Sequence, residues 1–314
     1  MDRPPTPNPS PPLASARGGR GDRSALLTER APAKINLTLR VIGRRADGYH
    51  ELESLVAFAD LADTLTLALD DAAGLDVGGP FAAASGEPDD NLVLKALAAL
   101  RAQIPGLQAG RFHLDKHIPV AAGVGGGSAD AAAALRLLAR ANGMALDDAR
   151  LMTAALRVGA DVPVCLASRA CVMTGVGERL SPPLDLPPCV AVLVNPRVPL
   201  ATRDVFAAYG RAAAPASAQA SGRSLSEVPS QPFALVEFLN RNGNDLTDAA
   251  IACAPIVADV LAALRALPGL QLARMSGSGA TCFALFESPA QAAAAASRLS
   301  ASHGAWWVAP AVIG

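Results

Sequence analysis

The segment PVAAGVGGGSADAAAALRLL, Pro119 to Leu138, constrains this chain more than any other. Gly123, Gly125, Gly126 and Gly127 run straight into a stretch rich in alanine and leucine. Glycine reaches positive φ without a Cβ penalty, so the backbone N–H groups of such a run can converge on one anion. Residues Ser128 to Ala141 are strong helix formers, and Asn142-Gly143 supplies the stop. The first N–H groups of that helix are unpaired and sit at its positive dipole end. Ser128 can cap the helix or donate to a bound oxygen. Together these features predict a phosphate site; the competing reading is a flexible turn ahead of an alanine-rich helix. No lysine follows the glycines, which excludes a Walker A loop. Neither the spacing of Gly123, Gly125 and Ser128 nor the segments that follow fit a dinucleotide-binding βαβ unit.

The surrounding patterns predict an α+β protein of two domains. With 314 residues, 51% of them hydrophobic, the chain can bury two cores. Residues 1–24, rich in Pro, Ser, Gly and Arg, read as a disordered tail. AKINLTLRVI, residues 33–42, alternates and predicts a strand with Ile35, Leu37, Leu39 and Val41 buried and Lys34, Asn36, Thr38 and Arg40 on the polar face. RRADGYH turns at Asp47-Gly48, and one or two strands follow. A helix is predicted over 91–103 with Asp90 as its cap, a strand over 111–118, and a second helix over 146–158. The proline-rich SPPLDLPP, residues 181–188, separates an N-terminal domain, 25–183, from a C-terminal one, 184–314. Beyond it come a strand at 188–195, a long low-complexity excursion at 211–232, a helix at 255–266, a strand–turn–strand at 272–286, a helix at 289–299 and a strand at 305–312.

Several function classes drop out. A net charge of -1 predicts no nucleic-acid or membrane partner. No apolar run is long enough for a membrane span, and the N-terminus lacks the apolar core of a secretory signal, so a cytoplasmic protein is expected. Cys165, Cys171, Cys189, Cys253 and Cys282 form no CxxC pair and read as reduced thiols, mostly buried. His113, His117 and His303 are expected to be structural or surface residues with no pairing partner, and Trp306-Trp307 one core and one edge ring.

Three segments share a pattern. The glycine loop, APAKIN at 31–36 and SGSGAT at 276–281 resemble, in order and distance, the three motifs of the GHMP kinase superfamily, named for galactokinase, homoserine kinase, mevalonate kinase and phosphomevalonate kinase. APAKINLTLRVIGRRADGYHELESL and GADVPV are more specific still. They are similar to the branch that phosphorylates the 2-hydroxyl of a CDP-linked methylerythritol in the non-mevalonate isoprenoid route. The resemblance spans residues 25–312 and implies a two-domain fold with the active site in the cleft between domains, ATP and Mg²⁺ as cofactors, and a small-molecule substrate.

It also implies roles. Asp161 matches the catalytic aspartate and Lys34 the catalytic lysine. Pro119, Val120, Ala121, Ala122, Gly123, Val124, Gly125, Gly126, Gly127, Ser128 and Ala129 match the ATP-phosphate loop. Asn36, Tyr49, His50 and Thr202 match substrate contacts, with Tyr49 and His50 at the cytosine end. Val124 and Ala129 depart from the usual Leu and second Ser; the latter change removes one hydroxyl beside the phosphates. On spacing alone Asp161 is equally a cap for the turn after it, Lys34 a solvated strand residue, and Tyr49-His50 an exposed turn. A kinase for a plain alcohol, or a nucleotide-binding scaffold without turnover, are the rival readings.

Overall fold

The computed structural model describes residues 26–69, 72–84, 86, 90–120, 123–212, 225 and 228–314. The predicted tail 1–24, most of the excursion at 211–232, and Ala121 and Ala122 of the glycine loop lie outside them.

The chain opens with β1 (Leu26–Asn36), β2 (Arg40–Arg44) and β3 (His50–Ala68). The 19 residues of β3 organise the molecule. β1 and β2 both pair with it antiparallel, as do two strands introduced next. β4 (Gly74–Gly78) lies parallel to β5 (Arg111–Asp115), which pairs with the far end of β3; α1 (Leu92–Arg101) connects them. The glycine loop then leads into α2 (Gly126–Ala141), followed by α3 (Ala149–Val158), α4 (Val162–Ala167), and the strands β6 (Cys171–Gly175) and β7 (Arg179–Leu180). β6 returns to pair with β3 along Leu52–Val56.

After residues 181–188, which have no regular structure, come β8 (Cys189–Asn195), the helices α5 (Thr202–Ala212), α6 (Pro232–Arg241), α7 (Thr247–Cys253) and α8 (Ile256–Arg265), then β9 (Leu270–Met275), β10 (Cys282–Phe286), α9 (Pro289–Ser302) and β11 (Trp307–Ile313). β8 sits between β11 and β10, and β11 joins β3 at Ile313 opposite Ala59. One mixed sheet therefore runs β4-β5-β3-β11-β8-β10-β9.

Three apolar clusters fill the layers. One lies between α1–α4 and the strands β1, β3 and β5, one between β8–β10 and α7–α9, and a third joins them through Ile35, Leu55, Leu193 and Phe283. In α2 every residue from Ala129 to Ala139 is buried. Its alanines let neighbouring elements close in on all sides, and its two buried charged residues, Asp130 and Arg136, are both paired. The segment behind the glycine loop is thus held firmly by the core.

Several sequence expectations are corrected. The stretch 33–42 is not one strand with a single buried face: β1 ends at Asn36, β2 begins at Arg40, and Lys34, Asn36 and Thr38 are as buried as Ile35 and Leu37. The polar side faces protein rather than water. Thr38 Oγ1 accepts from Leu55 N at 3.0 Å, and its carbonyl accepts from Ser54 Oγ at 2.5 Å. α1 is capped by Asn91, whose side chain accepts from Val93 N at 2.9 Å, while Asp90 pairs with Lys95 at 3.1 Å. α3 starts at Ala149 under the cap of Asp148. Histidines expected to lack partners have them: His113 lies 3.3 Å from Asp76, His117 2.9 Å from Asp115, and His303 stacks on Trp306 at 3.9 Å. Trp306 and Trp307 are both half-buried and pack against different clusters.

Candidate active site

A cavity of about 260 Å³ opens where β1, the glycine loop, α4, α5 and the β9–β10 turn converge. β1 brings two side chains to it. Lys34 is tied to the loop by its backbone N–H, which donates to Val124 O at 2.9 Å. Its Nζ reaches Asp161 Oδ1 at 2.9 Å, with the Lys34 side chain 4% and that of Asp161 39% exposed. Asp161 occupies the residue before α4 but its side chain caps nothing there. The pairing with Lys34 replaces the capping alternative. A buried ammonium bound to a carboxylate that still sees the cavity can orient that carboxylate without burying it.

Asn36 is the second. Its N–H donates to Ser276 Oγ at 3.0 Å and its Nδ2 to Ser54 Oγ at 2.7 Å. Its Oδ1 is buried and has no partner among the described residues. A sealed acceptor without a donor costs about 1–3 kcal/mol, and this one lies beside Gly277, where a Cβ would stand 3.0 Å from it.

The glycine loop closes the cavity on the side of α2. Gly123 and Gly125 have φ of 72° and 64°, in the left-handed region. A Cβ at Gly123 would stand 2.0 Å from the carbonyl oxygen of Gly279, and one at Gly125 would stand 3.3 Å from Lys34 Cβ. α2 begins at Gly126, two residues earlier than the sequence suggested, with Gly125 as its N-cap. Ser128 is therefore in the first turn and caps nothing; it lines the cavity with Gly125, Gly126 and Gly127. Pro119, Val124 and Ala129 are buried in the scaffold, Val120 is exposed, and none of the four lines the cavity.

From the opposite side the β9–β10 turn contributes Gly277 and Ser278, held by Asn244 Nδ2, which donates to the carbonyls of Met275 and Gly277 at 2.8 Å each. Ser278 Oγ lies 2.9 Å from Thr202 Oγ1, and Thr202 opens α5 on the cavity wall. One turn further along α5, Phe206 also lines the cavity, and its ring stacks on His50 at 4.9 Å with 22° between planes. Tyr209 meets His50 edge-on at 6.2 Å. Burial, with help from the Arg44 charge, holds the His50 imidazole below its ordinary pKa, so it is favoured neutral. Tyr49 is 65% exposed and stands outside the cavity.

The structure thus gathers Lys34, Asn36, Asp161, Thr202 and the loop Gly123–Ser128, brings His50 to the rim, and leaves Tyr49 at the surface. Sequence reasoning missed Phe206 and Tyr209, although two aromatics three apart in a chain with 4% aromatic residues were a usable signal. It also missed Asp63, Lys116 and Asp130, which form a buried ionic cluster under the loop.

Among the described residues no three His, Cys, Asp or Glu side chains gather as a metal site, and no helix is long and apolar enough to cross a membrane. Chemically, the cavity offers a carboxylate for a hydroxyl proton, an ammonium, and a helix N-terminus with glycine N–H groups for an anion.

Comparison with known proteins agrees with this inventory. The model of the GHMP kinase N-terminal domain matches residues 91–169 and that of the GHMP kinase C-terminal domain residues 233–305. A 4-diphosphocytidyl-2-C-methyl-D-erythritol kinase of Rhodopseudomonas palustris is 58% identical over 91% of this chain and 97% of its own length. A crystal structure of 4-(cytidine 5'-diphospho)-2C-methyl-D-erythritol kinase superposes with a TM-score of 0.71 at 37% identity, covering 92% of this chain and 99% of that one. A homoserine kinase from Cytophaga hutchinsonii shares the fold, with a TM-score of 0.65 at 20% identity over 94% and 96% of the two chains.

Proposed function

The chain belongs to the 4-diphosphocytidyl-2-C-methyl-D-erythritol kinases of the GHMP kinase family, and on that premise we propose how its residues divide the work of phosphoryl transfer. The reaction moves the γ-phosphate of ATP to the 2-hydroxyl of the CDP-linked methylerythritol, a step of the non-mevalonate route to isoprenoid precursors. The observation that carries the assignment of roles is the Lys34–Asp161 pair, 2.9 Å apart on the wall of a cavity that the glycine loop also lines.

Phosphoryl transfer asks the protein mainly for alignment and charge compensation. Gly123 to Ser128 hold the ATP phosphates through loop and helix N–H groups. Asp161 accepts the proton of the attacking hydroxyl. An alcohol is a far weaker acid than a carboxylic acid, so the proton moves late, as the new O–P bond forms. Lys34 fixes the direction of the Asp161 carboxylate and offsets charge on the transferring group. Asn36 lines the substrate side of the cavity, and Thr202 borders the same space from α5. The cytosine end lies at the rim beside His50 and Phe206, with Tyr49 on the exposed side. Of the loop residues that do not line the cavity, Pro119, Val124 and Ala129 shape it from the core, and Val120 stands on its exposed side.

Mg²⁺ neutralises phosphate charge when bound. Ser128 and the glycine loop, which line the cavity, would hold the ATP phosphates that it accompanies. The same reading divides the chain into units 25–183 and 184–314, supported by family models that match on either side of residue 184. It places the enzyme in the cytoplasm with small molecules as its partners.

The test is ADP release from MgATP with the CDP-linked methylerythritol, comparing the parent with Asp161→Asn. Turnover by the parent and a drop of roughly 10²–10⁴ in the variant, the range for loss of a general base, are expected. A variant that keeps parental turnover removes Asp161 from the mechanism.

A further inference from the structure

Three ionisable side chains with no part in the proton or phosphoryl transfer are sealed directly beneath the glycine loop. Lys116, just before the loop, sends its ammonium to Asp63 of β3 and, at 2.7 Å, to Asp130 of α2. Asp63 is fully buried, Asp130 2% and Lys116 3% exposed. Asp63 Oδ1 also accepts from Ile118 N at 2.8 Å, which fixes the chain where it enters the loop. A Cβ at Gly126 would stand 3.2 Å from Lys116 Nζ and 3.9 Å from Asp63 Oδ2, so the cluster abuts the first turn of α2. Lys116 and Asp130 therefore clasp the two ends of the loop from below. The second Asp130 oxygen, Oδ1, is buried and has no partner among the described residues.

One ammonium shared by two sealed carboxylates leaves an excess negative charge when both are ionised. Low polarity around it lets that charge act on whatever lies above. We propose that Asp130 is a positioning residue that tunes the loop for the nucleotide: ionised, it opposes the phosphates, and protonated, it leaves a balanced Lys116–Asp63 pair and a loop at full strength for anions. The inference rests on the reading of Gly123 to Ser128 as the phosphate cradle.

The surroundings fit such a switch of charge. Burial drives the Asp130 carboxyl up, to about 7, against the pull of Lys116 and with a push from Asp63. Burial works against the Lys116 ammonium, but Asp130 and Asp63 outweigh it and hold its pKa above the ordinary value. The other charged and titratable groups of this region are committed elsewhere. Arg136, on α2 itself, binds Glu29 of β1 and the carbonyls of Arg30 and Cys165. Burial pushes the Cys165 thiol of α4 up to about 12, so it stays neutral. Lys34 and Asp161 answer each other on the cavity side. Linkage then fixes the sign: bound phosphate favours the protonated acid, so nucleotide affinity falls as pH rises through about 7, and nucleotide binding raises the Asp130 pKa in return.

The experiment is the Kd of MgADP and of MgATP for the parent and for Asp130→Asn, from about pH 6 to about pH 8.5. The isosteric amide mimics the neutral acid, and the ratio of the two proteins' Kd values cancels the nucleotide's own titration. Parent over variant should rise by about fivefold or more across that range, the lower end of typical coupling between sites. A ratio that stays constant overturns the proposal. If the variant does not fold, the infrared C=O band of a protonated buried carboxyl in the parent serves instead. It should fade as pH passes about 7 and persist to higher pH with MgADP bound; no band, or one indifferent to nucleotide, overturns the proposal. Gly125→Ala separates the two layers of the reading. If that change spares nucleotide affinity, the cradle fails and this inference with it. If affinity collapses while the parent-to-Asp130→Asn ratio is flat, the cradle stands and the tuning role fails.

Discussion

Lys34 and Lys116 are buried to the same degree, 4% and 3% exposed, and each is bound to aspartate. They differ in where the partner carboxylate looks. Asp161, the partner of Lys34, is 39% exposed and lines the cavity, whereas Asp63 and Asp130, the partners of Lys116, have side chains 0% and 3% exposed. Burial of a lysine therefore says little about its use; the exposure of its counter-ion separates a pair that can touch a substrate from one that can act on it only through the scaffold.

The sharpest way to break this comparison is kinetic. Asp161→Asn should lower kcat by roughly 10²–10⁴ and leave the unfolding midpoint within reach of the parent. A comparable loss of stability would place Asp161 with the scaffold instead. The same substitution at the two lysines sharpens it further. Lys116→Met strands two carboxylates in a dry pocket and should destabilise the fold by about 3–5 kcal/mol in urea titrations. Lys34→Met leaves a carboxylate that water can reach, so its stability cost should stay near the roughly 0–1 kcal/mol of an exposed pair while turnover falls steeply. If both lysines cost the same stability, the distinction fails. At the rim, Phe206→Ala should raise KM for the CDP-linked substrate with little change in KM for ATP, by an amount matching the roughly 1–3 kcal/mol of a base–aromatic contact.

The smallest effect is a slope. The Asp130 carboxyl sits at about 7 in the folded chain against an ordinary 3.8, so the folded state holds a proton that the unfolded state has released. Stability contributed by the protonated acid is intact below the unfolded value and is lost as pH rises through the folded one. Urea titrations at several pH values should show the parent losing stability toward pH about 8 relative to Asp130→Asn. Parallel curves would mean that Asp130 titrates as an ordinary carboxylate.

What was legible in the sequence follows from how local each signal is. The glycine run, the helix behind it, the strand–turn–strand at Leu272–Phe286 and the alternation of residues 33–42 are written in contiguous residues. Lys34 and Asp161 could be named through motif resemblance, but their 2.9 Å contact depends on β1 and α4 meeting across the loop, 127 residues apart by number and unmarked by any local pattern. The burial of the polar face of β1 was missed for the same reason: alternation shows two faces but not what covers the second. Asp63, Lys116 and Asp130 each look like surface charges in their own windows, and only the packing of β3, the end of β5 and α2 brings them together. Phe206 depends on α5, a segment for which the sequence predicts no element.

The close approach of Gly123 to the Gly279 carbonyl bears on how this enzyme can vary. The obstacle to a side chain at 123 is a main-chain oxygen, which no exchange of side chains elsewhere removes. A substitution there has no single-step suppressor of the ordinary kind, the enlargement in one place offset by a trimming in another. In a saturation library position 123 should stay glycine even in backgrounds carrying many stabilising changes, and any revertant should come from a shift or resizing of the whole 276–280 turn. Directed evolution toward other acceptors is thereby steered to α5 and the His50 rim, where contacts are between side chains and can be traded one at a time.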